Sequence, residues 1–330
     1  MIQAGAGSAG RKPLTARQTL LLVLLLFFAA GLRIVHLDRP AEKVFDEYHY
    51  VGAAQVMAGM AGMAENPGVA PDPYYHHPPL GKLIIAAGIR LFGDTPFGWR
   101  IFAALFGLLS VGLLFQIAFK LFDSFFLAWV SAFVYSLDFL HIIHSRLAML
   151  DIFLAAPVLA GMLSSLYLLE RPRSRIWMAV SAISWAIALA IKANTLIYLA
   201  AFLIIYVTFS REKPIERFGS VAIILLSAIL LFSLSSFYYL TNGYSFVDWL
   251  QMRWDATFNF TSRAPSHPYE SAPPMWLFNA KAIWYHFDNA ARTGILGFGN
   301  PALWLAFIPA LFIVFSAYRV EKRRTDLFLL

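Results

Sequence analysis

Two adjacent carboxylates, Asp46 and Glu47, lie shortly after the first apolar stretch of the chain. Neighbouring residues of a helix point about 100° apart, so we do not expect the two groups to share one proton. One of them can accept a proton from a substrate hydroxyl while the other is held in a structural network. A solvated acidic loop or a helix N-cap fits the same residue types, and both interpretations stay open at this point.

Several cations lie where apolar stretches begin or end. At the outer start of the fourth stretch, the guanidinium of Arg146 can clamp a phosphate through two parallel hydrogen bonds. Alternatively, the side chain extends to the membrane surface or forms a salt bridge with Asp151. Lys192 and Arg33 follow the same logic, because charged groups at membrane depth are costly and are usually functional.

Two histidine-containing runs stand apart from these cations. Residues 76–82 combine two histidines, two prolines and a lysine. Adjacent imidazoles rarely point into one metal site, so this run predicts an ordered turn before an interfacial helix. Residues 266–271 include His267 and Tyr269 and precede aromatic residues, which form either an interfacial belt or a platform for sugars or peptide. The sequence contains no phosphate-binding glycine loop, nucleophile elbow or zinc-helix motif.

The composition indicates a membrane protein. Of the 330 residues, 59% are hydrophobic and only 14% are charged, against roughly 45–50% and about 25% in soluble domains. The net charge of +7 is explained by basic cytoplasmic loops, so we predict no nucleic-acid partner. The absence of cysteine excludes disulfides, zinc–thiolate sites and a thiol nucleophile.

Apolar stretches long enough to cross a bilayer recur throughout the chain, since a spanning helix needs about 20 residues. We predict spans near residues 19–36, 98–119, 125–142, 148–168, 176–191, 195–209, 221–240 and 302–318. Arginine and lysine concentrate in short segments on one side of this arrangement, which identifies that side as cytoplasmic. Two longer segments, residues 37–97 and 241–301, therefore lie outside, and the chain reads as a single membrane domain over residues 1–330. Amphipathic helices near residues 45–60 and 80–92 are expected to lie at the external membrane surface.

Taken together, these runs resemble the protein O-mannosyltransferase family, whose members have the GT-C membrane fold. The runs that carry the resemblance are Arg33 to His49 with Phe45-Asp46-Glu47, His77-Pro78-Pro79-Leu80-Gly81-Lys82, Ser145-Arg146 with Leu150-Asp151, His267-Pro268-Tyr269-Glu270-Ser271 with Trp276, and Gly299-Asn300-Pro301 with Trp304. The loop at residues 267–271 is the most specific of them. This loop also departs from the family pattern, because Pro273 stands where tryptophan is usual and Leu277 where proline is expected.

The resemblance implies an all-α, polytopic transmembrane bundle of the GT-C type with external interfacial helices. It implies inverting transfer of mannose from polyprenyl or dolichyl phosphate mannose to serine or threonine hydroxyls of proteins, at the external face of the membrane. Asp46 is expected to act as the catalytic base, and Glu47 to support it. The remaining predicted site residues are Arg146, Arg33 and Lys192 for the donor phosphate, and His77, Lys82, Asp151, His267 and Tyr269 in supporting positions.

Other features of the prediction stay open. No metal-binding set is predicted, and the sequence leaves the need for a divalent metal and the oligomeric state undecided. The chain is short for this family, so we expect that further C-terminal spans are missing, and a bacterial or archaeal plasma membrane fits better than the endoplasmic reticulum. The alternatives are another lipid-linked GT-C transferase, such as an aminoarabinose transferase, and a transporter, which would favour inverted repeats and charges at the membrane midplane.

Overall fold

The protein is a helical membrane bundle with a short β-hairpin on its external side. The computed structural model describes residues 13–60, 72–210, 212–259, 272, 275, 280–290 and 292–321. Its helices are α1 (Ala16–Ile34), α2 (Glu47–Met57), α3 (Leu80–Phe92), α4 (Pro96–Phe122), α5 (Phe125–Ser136), α6 (Phe139–Arg146), α7 (Leu150–Glu170), α8 (Arg175–Ile191), α9 (Thr195–Phe209), α10 (Pro214–Ser233), α11 (Phe237–Thr241), α12 (Phe246–Trp254) and α13 (Pro301–Glu321). A 3₁₀ turn, Leu234–Ser236, joins α10 to α11, and a π turn, Asp255–Asn259, follows α12.

Four segments in the described part of the chain are long and apolar enough to cross a membrane. They are Ala16–Ile34, Pro96–Phe122, Leu150–Glu170 and the continuous segment Pro214–Thr241. These segments confirm the prediction of a multi-pass membrane protein. The fifth, sixth and eighth predicted spans correspond to shorter apolar helices, Arg175–Ile191, Thr195–Phe209 and Pro301–Ile313.

The third predicted span differs from the expectation of a straight helix over residues 125–142. It consists of α5 and α6, which meet at an angle of 62°. Asp138 lies at the break, and its side chain accepts a hydrogen bond of 2.9 Å from the backbone N–H of His141. This bond satisfies a free amide at the start of α6 and ends the continuous helix. As a result, Arg146 belongs to the last turn of α6 rather than to the start of α7.

The two expected external helices are present as α2 and α3, which connect α1 to α4. The sequence predicted no strand, whereas β1 (Ile283–Asp288) and β2 (Thr293–Gly297) form an antiparallel hairpin in the second external segment. The hairpin lies against α6: Phe298, just after β2, makes an edge contact with Phe139, with ring centroids 5.4 Å apart. The backbone N–H of Asn300 donates to Asp138 at 2.9 Å, which ties the start of α13 to the break between α5 and α6.

A buried ion pair anchors the first external segment to the bundle. Glu47, in the first turn of α2, and Arg100 of α4 are both fully buried and lie 2.8 Å apart. Arg100 Nε and Nη2 each donate to one carboxylate oxygen of Glu47 at 2.8 Å. The backbone N–H groups of Val44 and Ala148 donate to the same carboxylate, at 3.1 Å and 2.8 Å. Glu47 therefore joins α2, α4 and the start of α7 in one place.

The contact between α4 and α6 requires a glycine at position 107. A Cβ atom added to Gly107 would lie 2.1 Å from Ser145 Oγ and 2.7 Å from Ser145 Cβ. We expect Gly107→Ala to cost about 1–3 kcal/mol of stability, because α6 has to move away from α4. The measurement is the thermal unfolding temperature of the purified protein in detergent.

Gly112, five residues further along α4, is the matched control, because an added Cβ would meet no atom within 4 Å. Gly112→Ala is expected to be neutral or to stabilise the helix by up to about 1 kcal/mol. Equal melting temperatures for the two variants would contradict the close approach of α4 and α6.

The ion pair gives a second stability prediction. Arg100→Met leaves the Glu47 carboxylate buried without its cation, and removing one member of a buried pair costs about 3–5 kcal/mol. Arg90→Met is the control, because Arg90 is exposed on α3 and donates to backbone carbonyls of Met57 and Ala58. Thermal unfolding of both variants tests the point, and an Arg100→Met protein as stable as the Arg90→Met protein would contradict it.

Candidate active site

Asp46 lies immediately before α2, and the fold leaves its carboxylate outside the ion pair formed by its neighbour Glu47. Its Oδ2 atom accepts a hydrogen bond of 3.1 Å from the hydroxyl of Tyr50, one helical turn along α2. Burial raises the pKa of the Asp46 carboxyl above its usual range, while the Tyr50 hydrogen bond and the nearby Lys192 cation oppose that rise. A carboxylate in these surroundings is a better base than a solvated one.

A second acidic group and a cation face Asp46 from the bundle. Asp151 lies in the first turn of α7, and Lys192 directly follows α8. Lys192 Nζ lies 2.7 Å from Asp151 Oδ1. Because α7 and α8 are adjacent in the bundle, this pair fixes the external ends of both helices beside the acidic residue of the first external segment.

His77 closes this group from the side of α3. Burial, with the cations of Lys192 and Lys82, lowers the pKa of His77 to about 3. The imidazole is therefore neutral at physiological pH and acts as a hydrogen-bonding group rather than as a cation. The expected turn at residues 76–79 is present directly before α3.

Lys82, in the first turn of α3, is hydrogen-bonded to the backbone of that turn. Its Nζ atom is fully buried and donates to Asp72 Oδ2 at 2.5 Å, and to the carbonyl oxygens of Tyr74 and His77 at 2.6 Å and 3.0 Å. The hydroxyl of Tyr239 donates to the same Asp72 oxygen at 2.7 Å. Lys82 thus holds the backbone near His77 and is bound to Asp72 rather than to Asp46 or Asp151. Burial lowers the pKa of Lys82 to about 8, and Asp72 opposes that effect.

The two predicted arginines donate mainly to backbone carbonyl oxygens. Arg146 donates to the carbonyl oxygens of Leu32, Arg33, Val35 and His36, at 2.8–3.3 Å. These are carbonyls at the end of α1, where a cation compensates the helix dipole. Arg33 is fully buried and donates to Ala29 and Ser136 carbonyls at 2.8 Å and 3.3 Å, and to His141 Nδ1 at 2.7 Å.

The β-hairpin contributes Tyr285, which the sequence analysis did not select. Tyr285 stacks on Phe45 with ring centroids 4.3 Å apart, and its hydroxyl is hydrogen-bonded to His144 Nε2 at 2.8 Å. Burial, together with the Asp151 and Asp46 carboxylates, raises the pKa of Tyr285. The external group of residues therefore comprises Asp46, Tyr50, His77, His144, Asp151, Lys192 and Tyr285.

Two further predictions concern a metal site and the motif at residues 267–271. Among the residues that the structure describes, no group of three or more acidic, histidine or cysteine side chains is arranged to hold a metal ion. His267 and Tyr269 lie outside the described residues. The sequence also did not indicate Arg100, Asp72 or Tyr50. These residue types are common, and the partners of Arg100 and Asp72 include residues far away along the chain.

The described part of the chain contains an apolar groove with a cavity volume of about 710 Å³. It lies between α3, α8 and the α10–α11 segment. Leu80 and Ala190 are among its lining residues, and they lie close in sequence to His77 and Lys192. The opposite part of the groove is lined by side chains of the α10–α11 segment, including Leu231 and Phe237.

Comparisons with known proteins agree with the motifs. Residues 76–238 match the family described as dolichyl-phosphate-mannose-protein mannosyltransferase. The polyprenol-phosphate-mannose–protein mannosyltransferase of Corynebacterium glutamicum is 26% identical over 359 aligned positions, which cover 85% of this chain and 68% of that protein. A shared residue pattern of this length supports common ancestry beyond the general likeness of apolar helices.

Two solved structures have a similar fold. The Saccharomyces cerevisiae protein O-mannosyltransferase Pmt1-Pmt2 complex bound to the sugar donor matches with a TM-score of 0.57 and 22% identity, over 70% of this chain and 35% of the matched chain. ArnT from Cupriavidus metallidurans bound to undecaprenyl phosphate matches with a TM-score of 0.59 and 19% identity, over 94% of this chain and 53% of ArnT. The chain thus spans about half or less of both solved proteins. The motifs, the match over residues 76–238 and the fold agree: the chain is similar to protein O-mannosyltransferases and has the GT-C membrane fold.

Proposed function

We propose that the protein transfers mannose from a polyprenyl phosphate mannose to a serine or threonine hydroxyl of a protein, at the external face of a bacterial membrane. The observation that carries the proposal is a half-buried carboxylate, Asp46, that lies outside the neighbouring ion pair and near the Lys192 cation. The names of the relatives support the donor and the acceptor class. The ArnT structure bound to undecaprenyl phosphate supports a lipid phosphate as the carrier.

Asp46 is the proposed base. In inverting transfer, the acceptor oxygen attacks the anomeric carbon on the face opposite the leaving phosphate, and a carboxylate on the acceptor side takes the hydroxyl proton. Asp46 suits this role because burial raises its pKa, which strengthens it as a base. Glu47, whose two oxygens already accept four hydrogen bonds, has the supporting role of holding α2 in place.

The leaving phosphate needs positive charge rather than a proton at neutral pH, and Lys192 is the proposed donor of that charge. Its present partner, Asp151, orients the ammonium towards the external group. Phosphate binding by Arg146 and Arg33 stays a prediction, because a phosphate would have to replace the carbonyl contacts that their guanidinium groups make. His267 and Tyr269 also keep their predicted supporting roles.

The apolar groove fits the lipid part of such a donor. Its lining includes Leu80 and Ala190, close in sequence to His77 and Lys192, and side chains of the α10–α11 segment, which is long and apolar enough to cross a membrane. A polyprenyl chain is apolar and flexible, so it gains from burial against these side chains. Another lipid-linked transferase with a glycan or lipid acceptor fits the same groove and is the second candidate, supported by the ArnT-like fold.

The proposal is tested with the purified protein, a mannosyl-phosphoryl-polyprenol and a peptide containing serine and threonine. We expect mannosylated peptide, detected by mass spectrometry, and a rate that falls by about 10²–10⁴-fold in Asp46→Asn, the usual contribution of a general base. Asp38→Asn is the control, because Asp38 is an exposed carboxylate of the same external segment. Transfer by Asp46→Asn at the parent rate would remove Asp46 from the mechanism.

The acceptor is tested in the same assay. Transfer to lipid A or to a glycan, with none to the peptide, would replace the protein acceptor by the second candidate. Movement of the intact donor across liposome membranes without any sugar transfer would instead indicate a transporter.

The hydrogen bond from Tyr50 gives a pH prediction. Asp46 has to be deprotonated to accept a proton, so kcat/KM falls as the pH drops through its pKa. The Tyr50 hydroxyl stabilises the charged carboxylate and lowers that pKa. Tyr50→Phe removes this stabilisation, and we therefore expect the acidic limb of the kcat/KM profile to move to higher pH.

Tyr48→Phe serves as the control, because Tyr48 lies on the same helix and is 62% exposed. Its acidic limb is expected to coincide with that of the parent. A Tyr50→Phe profile that stays in place or moves to lower pH would contradict the assignment of this limb to Asp46.

A further inference from the structure

The residue before the proposed base has an unusual backbone conformation. Phe45 has a φ angle of +49°, in the left-handed region that residues other than glycine rarely adopt. Such conformations cost of order 1–3 kcal/mol and persist where the surroundings hold them. The backbone of Phe45 sets the direction in which the chain enters α2, and therefore the position of Asp46 at its start.

The ring of Phe45 is in contact with the β-hairpin. The ring of Tyr285 stacks on the ring of Phe45, with centroids 4.3 Å apart and planes inclined by 13°. The Tyr285 hydroxyl is hydrogen-bonded to His144 of α6 at 2.8 Å. One side chain therefore joins the strained residue of the first external segment to a helix of the bundle.

Tyr285 stands outside the regular residue pairing of the two strands. Trp284 pairs with Leu296 and His286 with Ile295, which leaves Tyr285 as the extra residue of a β-bulge. Bulges redirect a side chain, and they occur often next to active sites. Gly297 on β2 makes room for the ring, because an added Cβ would lie 2.9 Å from two ring carbons of Tyr285.

We infer that Tyr285 is a positioning residue, which holds Phe45 in its left-handed conformation and thereby aims Asp46 at the acceptor hydroxyl. The stacked ring supplies the holding contact, and the bond to His144 fixes the ring relative to α6. The inference rests on the proposed function for its catalytic consequence. Its structural part, the coupling between the hairpin and residues 44–50, is independent of the reaction.

The first test measures that coupling without substrate. Hydrogen exchange of the backbone amides of residues 44–50 is followed by mass spectrometry in the full chain, purified into lipid nanodiscs. We expect Tyr285→Ala to speed this exchange about tenfold, because the stacking contact that opposes local opening is lost. Tyr285→Phe keeps the stacked ring and loses the bond to His144, so its exchange is expected to lie between those of the parent and Tyr285→Ala.

Trp284→Ala is the matched control, since Trp284 is the neighbouring strand residue and lies outside the stacked pair. It is expected to leave the exchange of residues 44–50 unchanged. Melting temperatures identify any variant that has lost its fold. Unchanged exchange in a folded Tyr285→Ala protein, or an equal acceleration in Trp284→Ala, would overturn the inference.

The second test separates backbone positioning from direct contact with a substrate. We expect Tyr285→Ala to lower kcat about tenfold or more with a KM for the donor within about threefold of the parent, the pattern of a lost transition-state arrangement. Glycine adopts positive φ without steric cost. In the Tyr285→Ala background, Phe45→Gly is therefore expected to restore kcat relative to Phe45→Ala.

Equal kcat values for these two double variants would show that backbone conformation is not what Tyr285 maintains. A raised KM with an unchanged kcat in Tyr285→Ala would make Tyr285 a substrate-binding residue instead. If the parent protein transfers no mannose, the proposed function fails, and the exchange measurement still decides whether Tyr285 holds residues 44–50.

Discussion

The ion pair between Glu47 and Arg100 is the interaction on which the external side of the protein depends. Two charges buried in an apolar bundle are stable only when each is fully hydrogen-bonded, and here the carboxylate accepts four bonds from three parts of the chain. Arg100 also donates to backbone carbonyls of Leu37, Pro40 and Glu42, at 2.7–3.3 Å. The first external segment is thereby fixed to α4 over most of the distance between α1 and α2.

This arrangement explains why two adjacent acidic residues have different surroundings. The direction of Glu47 into the bundle requires its helical neighbour Asp46 to point elsewhere, because successive side chains diverge along a helix. Asp46 then faces Tyr50 and the Asp151–Lys192 pair rather than Arg100. The ion pair thus provides the rigid support, and the next residue is left available for proton transfer.

Local sequence patterns predicted the parts of this structure that depend on local chemistry. The length of the apolar stretches predicted the four membrane-spanning segments. Pro78-Pro79 predicted the turn and the start of α3 at Leu80. The partners of Lys82 and Glu47 could not be predicted, because Asp72 and Arg100 are brought to them by folding. The aromatic run containing Tyr285 was interpreted as a belt or a platform, since a β-bulge is defined by the pairing of two strands.

The charges of Asp46 and Lys192 also fit the charge changes of the proposed reaction. When a hydroxyl oxygen bonds to the anomeric carbon, its proton passes to Asp46, and the carbon–oxygen bond to the phosphate breaks. The carboxylate loses a negative charge as the phosphate gains one, so the total charge of the buried site is unchanged. Negative charge therefore moves from a group whose ionised form burial disfavours towards the Lys192 cation. Both effects act in the direction of transfer.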